Sequence, residues 1–173
     1  MIPIKNKKKT LEVTVEEMRN FAFNYIEKFA PSKQQLKTYL LKKYLKNKIP
    51  SVKKSNINDL IDIVIEDLEK SKFINDKFYS ESKAKSLIQR GSSINKIRNY
   101  LFNKGVGEKY IKNTIEKIHS NNEDQDFFSA IKICKKKRIG PSRTEDNRPL
   151  FYKKDISLLA RNGFDFETSK KVM

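Results

Sequence analysis

The chain has 173 residues, with 38 Lys or Arg against 21 Asp or Glu, which gives a net charge of +17. This length excludes a large multidomain enzyme and allows one compact domain or a row of small helical units. The positive charge favours a polyanionic partner, either a nucleic acid or an acidic protein surface. Hydrophobic residues make up only 37% of the chain, so we expect a narrow core rather than a thick globule.

The composition also predicts a soluble, cytoplasmic protein. No apolar run approaches the roughly 18 residues that cross a bilayer, and the start MIPIKNKKKTLEV has no apolar signal segment. The single cysteine, Cys134, has no partner for an intrachain disulfide, which is consistent with a reducing compartment. Its spacing from Ile131 predicts a small hydrophobic side chain buried in a core.

Apolar residues recur at helical spacing after a basic tail at residues 1–10, and only 5 Gly and 5 Pro interrupt them. A first helix is predicted from Val15 to Phe29, before a proline. The pair Ser32 and Gln35 has the spacing of a capping box, which predicts the start of a second helix. A third helix is predicted after the IPSVKKSN connection, from about Asn58 to Ser71.

The same three-helix plan then returns further along the chain. The segments PSKQQLKTYLLKK and GSSINKIRNYLFNK align in one register, with Tyr39 over Tyr100 and Lys43 over Lys104. Gly105 is predicted to end the second middle helix as a C-cap. We therefore expect an all-α, elongated tandem array of three three-helix repeats, the third truncated. The expected segments are a flexible basic tail, repeat one, repeat two and repeat three, at 1–10, 11–75, 76–122 and 123–173.

The third copy is weaker. Its helices are predicted in DFFSAIKICKKKR, KKDISLLARNG and FDFETSKKVM, with a flexible loop at residues 139–149 between the first two. One irregular helical bundle with chance internal similarity is the alternative to a repeat array.

Signatures of catalysis are largely missing from the sequence. His119 has no neighbouring Cys or second His to complete a metal site, and Gly105 and Gly107 form no phosphate-binding loop. The acidic residues Asp124 and Asp126 complement the dipole at the start of a helix. We expect no enzyme activity, no metal and no cofactor.

Cations are the remaining candidates for function, because they recur with the repeats on exposed helix faces. We expect them to line a single basic stripe that contacts phosphates or acidic patches. The candidate residues are Lys33, Lys37, Lys43, Arg90, Lys96, Arg98, Lys104, Lys135, Lys136, Lys137, Arg138 and Arg161, with Arg143 and Arg148 as further cations of the third repeat.

Three segments resemble the RecX family of recombinase regulators. They are FINDKFYSES, where the family tends to have Asp-x-x-Phe-Ala; the middle helix INKIRNYLFNKGV; and ISLLARNGFDFE, which is similar to the family's Leu-x-x-Arg-Gly-Phe element. The likeness extends from about Val15 to Val172. Ser80 stands where the family often has Ala, and Asn162 stands where a second Arg is common before Gly163.

The resemblance implies a non-catalytic regulator, mainly an inhibitor, of the RecA recombinase. Such a protein binds in the groove of the RecA filament on single-stranded DNA and modulates ATP hydrolysis, strand exchange and coprotease activity in recombination, DNA repair and the SOS response. We expect a monomer with no membrane partner and no cofactor.

Two other functions stay open on the sequence. One is an independent nucleic-acid binder, such as a helix-turn-helix repressor or an RNA binder, with Lys33, Gln34 and Gln35 at the start of a recognition helix. The other is a helical adaptor for a different protein partner.

Overall fold

The computed structural model describes residues 11–46 and 54–173, and every regular element in these ranges is a helix. The described residues form nine α-helices and one 3-10 turn. This confirms the all-α fold that the helical spacing of apolar residues predicts. The predicted basic tail at 1–10 and most of the IPSVKKSN connection lie outside the described residues.

The chain divides into two compact units, Met1–Asn75 and Asp76–Met173. The first unit contains three α-helices, and α2 and α3 both pack on α1 and on each other. These helices are α1 (Val15–Phe29), α2 (Lys33–Lys46) and α3 (Lys54–Lys70).

The ends of the first two helices follow from local chemistry. Ala30 has a φ of 41° and closes α1 in the left-handed conformation, immediately before a proline. The predicted capping box is confirmed, because the Ser32 amide donates to Gln35 Oε1 at 3.1 Å and the Gln35 amide donates to Ser32 Oγ at 3.2 Å.

The third helix starts earlier than the sequence predicts. It begins at Lys54, not near Asn58. The reason is Ile57, which is 3% exposed and lies one turn before the buried Ile61, so both share the inward face of one helix.

The second unit contains the other six α-helices, and the 3-10 turn spans Gly140–Ser142. Gly105 ends the second of these helices as predicted. Its φ is 71°, and the next amide, of Val106, donates to the carbonyl of Leu101 at 3.1 Å, which is the Schellman pattern. The six helices are α4 (Asp76–Gln89), α5 (Ile94–Asn103), α6 (Glu108–Asn121), α7 (Gln125–Lys137), α8 (Asn147–Arg161) and α9 (Phe166–Val172).

Buried side chains of the described residues form three hydrophobic clusters, and each cluster comes from three consecutive helices with their flanking turns. The first is built by α1 to α3, the second by α4 to α6 and the third by α7 to α9. Cys134 belongs to the third cluster with no exposed surface, as its spacing predicts. The repeat count and the repeat boundaries stay predictions.

The connection at residues 139–149 has more structure than the flexible loop that its composition predicts. It contains the 3-10 turn, and α8 already begins at Asn147, six residues before the predicted KKDISLLARNG helix. A buried carboxylate, Asp155, accepts the Gly140 amide at 2.9 Å. A hydrogen bond to α8 therefore holds the first residue of the 3-10 turn, Gly140.

Candidate functional site

The candidate cations at the start of α2 are engaged within the first unit. Lys33 pairs with Glu69, and Lys37 pairs with Asp62, so both ammonium groups meet carboxylates of α3. The side chains are a third to a half exposed, and pairs of this kind are weak in water. These two lysines therefore have counter-charges within the protein. An external phosphate would have to compete with those carboxylates.

The three residues of the possible recognition helix also have local roles. Lys33 forms the ion pair above, Gln34 Nε2 donates to Thr38 Oγ1 at 3.4 Å, and Gln35 caps Ser32. A recognition helix needs such side chains free to reach base edges. The start of α2 therefore does not present them for base reading in this conformation.

Two of the candidate lysines, Lys43 and Lys104, lie near the aromatic residue four positions earlier in the chain. Lys43 Nζ lies 6.0 Å from the ring centroid of Tyr39, and Lys104 Nζ lies 5.5 Å from that of Tyr100. Lys43 Nζ also lies 3.6 Å from the ring centroid of Phe21 on α1. Both candidate lysines thus lie over aromatic faces, which attract cations.

Two other candidates, Lys96 and Arg161, lie where the start of α5 approaches the end of α8. Ser93 Oγ donates to the Asn162 carbonyl at 2.8 Å, and Lys96 Nζ donates to Asn162 Oδ1 at 3.1 Å. Gly163 has a φ of 87°, and a Cβ there would lie 2.6 Å from Ser93 Oγ, so only glycine allows this approach. Lys96 and the exposed Arg161 therefore lie at the same corner of the second unit.

The start of α5 has a further cap from another helix. Asp126, in the first turn of α7, accepts the Ile94 amide at 2.8 Å. Burial raises the pKa of this carboxyl, while the bond from the Ile94 amide opposes that rise. The sequence predicts Asp126 at the start of its own helix, and its bond to α5 has no local sequence signal.

The last turn of α7 and its cap carry four of the candidate cations: Lys135, Lys136, Lys137 and Arg138. We call this group the α7 basic end. All four side chains are exposed, and none has a carboxylate within 4.0 Å in the part of the chain that the structure describes. Cations at a helix C-terminus are stabilised by the helix dipole. Because these four side chains are exposed, their charges face solvent.

Arg90 lies close to the same helix. The next residue, Gly91, packs so tightly on α7 that a Cβ there would lie 3.1 Å from the Ser129 carbonyl oxygen and 3.2 Å from Lys132 Cβ. Lys132 is exposed and lies one turn before the α7 basic end. Sequence reasoning missed it, although its spacing of three and four from Lys135 and Lys136 places it on the same face.

Arg98, Arg143 and Arg148 are less available. Arg98 pairs with Glu108 at 3.5 Å. Arg143 donates two hydrogen bonds to Asp155, at 2.6 and 2.8 Å, and holds the pKa of this carboxyl below its usual range. Arg148 donates to backbone carbonyls of the 139–149 connection. The guanidinium groups of these three arginines therefore already have partners within the chain, and that of Arg143 binds a buried carboxylate.

The described residues contain no group of three or more His, Cys, Asp or Glu side chains placed to hold a metal ion. No described helix has both the length and the apolar character that a membrane span requires. What the geometry does provide is surface cations, of which the α7 basic end, Arg90, Lys132 and Arg161 have no internal carboxylate partner among the described residues.

These features define the class as an all-α, strongly cationic protein with three hydrophobic clusters. No protein-family model matches the chain. It is 31% identical to the regulatory protein RecX of Myxococcus xanthus over 96% of this chain and 89% of that protein. It is 24% identical to the regulatory protein RecX of Agrobacterium fabrum, over 90% and 80%. A crystal structure of regulatory protein RecX superposes with a TM-score of 0.61 at 16% identity, over 91% and 72%.

The chain belongs to the RecX family of regulatory proteins. One departure from the family pattern has a structural reason in this chain. Ser80, where the family often has Ala, is fully buried, donates to the Lys77 carbonyl at 2.8 Å and accepts from Thr114 Oγ1 at 3.0 Å. The extra hydroxyl is therefore satisfied inside the α4–α6 cluster.

Proposed function

We propose that this chain is a non-catalytic regulator, mainly an inhibitor, of RecA. It binds in the groove of the RecA filament on single-stranded DNA and lowers ATP hydrolysis, strand exchange and coprotease activity. The membership of the RecX family supports a regulator. The observation that carries the contact with a filament is the α7 basic end, because its four charges have no internal counter-ions in the described chain.

Unpaired surface cations suit a filament that contains DNA. Each phosphate neutralised by a lysine or arginine releases a counterion, which favours binding at low salt. Cations already paired inside the protein, such as Lys33 and Lys37, must first give up a carboxylate and gain less. The proposal therefore ranks the candidate residues, with the α7 basic end first and the paired lysines of α2 last.

The direct test is the DNA-dependent ATPase activity of RecA on single-stranded DNA. Purified chain, added at well below the molar amount of RecA, should lower the rate. An unchanged rate, with the chain also failing to sediment with the filaments, would refute the proposal.

Two double variants test the ranking with equal loss of charge. Lys136→Gln with Lys137→Gln should weaken inhibition about tenfold or more, since two phosphate contacts are lost. Lys33→Gln with Lys37→Gln should change it less than threefold. Equal effects of the two double variants would contradict the ranking.

The second candidate function, an independent nucleic-acid binder, gives a different result in the same set of measurements. It predicts tight binding to duplex DNA or RNA without RecA, with a steep dependence on salt. The local partners of the side chains at the start of α2 do not favour base reading.

A further inference from the structure

A small apolar cleft lies beside the α7 basic end in the second unit. It has a volume of about 370 Å³ and lies between α7, α9 and the 3-10 turn. Its lining residues are Phe127, Ile131, Cys134, Lys135, Pro141, Ser142, Lys171 and Val172. A volume of this size holds one large side chain or a short peptide segment.

The floor of the cleft is apolar and firmly packed. Cys134 and Val172 are 0% and 6% exposed and belong to the third hydrophobic cluster, while Ile131 and Phe127 pack against that cluster from a half-buried position. An apolar floor offers no hydrogen-bond donors, which phosphate groups need for binding. An apolar group would fill it favourably.

Two of the described residues that line the cleft are charged, and both are lysines. Lys135 comes from α7 and has no carboxylate within 4.0 Å among the described residues. Lys171 comes from α9, lies over the Phe127 ring at 4.9 Å and meets Asp124 at 3.6 Å in an exposed pair. None of the described residues that line the cleft is Asp or Glu. The rim therefore favours an anion next to the apolar group.

The positive charge at the rim limits which groups can occupy the cleft. A second copy of this chain carries a net charge of +17, and the chain's own first ten residues carry four lysines and no acid. Both are repelled by two ammonium groups. A protein segment with an apolar side chain next to a carboxylate satisfies the floor and the rim together.

We propose that this cleft binds an apolar side chain flanked by a carboxylate on the protein partner. The inference rests on the proposed function, which makes this partner a RecA subunit of the filament. The cleft and the α7 basic end then contact different components of the filament. The cleft binds protein, and the exposed cations of the α7 basic end contact DNA phosphates.

The test blocks the cleft without changing charge. Ser142 is exposed at the rim, so Ser142→Trp places a large side chain over the cleft while leaving the core intact. The matched control is Ser157→Trp, at an exposed position on α8 outside the cleft. Binding of N-terminally labelled chain is measured on RecA filaments assembled on oligo(dT), and on oligo(dT) alone.

Ser142→Trp should weaken binding to the filaments by about tenfold or more, as expected for loss of a central side-chain pocket, and leave binding to oligo(dT) alone within twofold. Ser157→Trp should match the parent chain in both. Unchanged filament binding by Ser142→Trp, or an equal loss on oligo(dT) alone, overturns the inference. If the parent chain itself does not bind the filaments, it is the proposed function that fails.

A second pair of variants tests the rim and avoids any dependence on the tryptophan. Lys171→Glu reverses a charge at the cleft, and Lys170→Glu makes the same change at the neighbouring exposed position outside it. Lys171→Glu should weaken filament binding at least fivefold more than Lys170→Glu. Equal losses would show that net charge alone matters and would count against an anion at the rim.

Discussion

Replacing Asp155 by asparagine should destabilise the α7–α9 cluster by about 3 kcal/mol. The Asp155 carboxylate is 1% exposed and accepts three hydrogen bonds, one from the Gly140 amide and two from Arg143. Asparagine keeps one acceptor oxygen and turns an NH₂ group toward the guanidinium. A charge-assisted hydrogen bond contributes about 1.5 to 3 kcal/mol, and a broken buried ion pair costs about 3 to 5. Arg143 is partly exposed, which places the cost near the lower end.

The assay is hydrogen exchange of the amides of α7, α8 and α9 at pH 7, which reports this cluster alone. Asp146→Asn is the matched control, because Asp146 is exposed and caps α8 without a side-chain hydrogen bond. It should change the opening free energy by less than about 0.5 kcal/mol. Equal protection in the two variants would refute the role given to the buried pair.

The stability difference between the parent chain and Asp155→Asn should depend on pH. Arg143 holds the pKa of Asp155 below its usual range, so the folded state gains stability once the pH exceeds the unfolded pKa of about 3.9. This gain should disappear as the pH falls through the lower folded pKa. Urea unfolding from pH 7 to pH 2 should therefore show the parent chain and Asp155→Asn converging in acid. A difference that stays constant over this range would contradict the assignment.

Three further outcomes are expected. Leu101→Ala, at a fully buried position, should cost about 2 to 5 kcal/mol in thermal or urea unfolding, whereas Phe102→Ala, at a 67% exposed position, should cost less than about 1. Gly163→Ala should destabilise the chain by about 1 to 3 kcal/mol. The φ of Gly163 is 87°, and a Cβ there would lie 2.6 Å from the Ser93 hydroxyl oxygen. Gly107→Ala should be close to neutral, because Gly107 has a negative φ and a Cβ there would have no atom nearer than 3.8 Å. Burial raises the pKa of the Cys134 thiol to about 11, so at pH 8 a disulfide reagent should modify it slowly in the folded chain and rapidly in urea; rapid reaction of the folded chain would argue against its burial.

Much of the fold could be predicted because its signals are local. The capping box at Ser32 and Gln35 and the glycine stop at Gly105 depend on residues within one helical turn, and the structure confirms both. The apolar pattern predicts a start of α3 that is too late, because the buried Ile57 precedes the run of apolar residues that marks the helix. Periodicity therefore predicts which segments are helical, but it misplaces the starts of α3 and α8.

The candidate site was less accessible, because the state of a cation depends on partners that are distant in sequence. Nothing near Lys37 shows that it meets Asp62, which is 25 residues away. The sequence pattern places Arg143 among the surface cations, although a buried carboxylate 12 residues later binds it. The run from Lys135 to Arg138 is exposed, as the sequence predicts, since consecutive cations at the end of a helix cannot all turn inward.

The caps at the start of α5 set a rule for shortening this protein. Ser93 and Ile94 depend on Asn162 and Asp126, which lie 69 and 32 residues later in the chain. A fragment that stops at the end of α6 would lose both partners, which leaves the Ile94 amide without its acceptor and the Ser93 hydroxyl without the Asn162 carbonyl. The first unit has three helices and a hydrophobic cluster of its own, so the boundary between Asn75 and Asp76 is the place to divide the chain into pieces for separate expression.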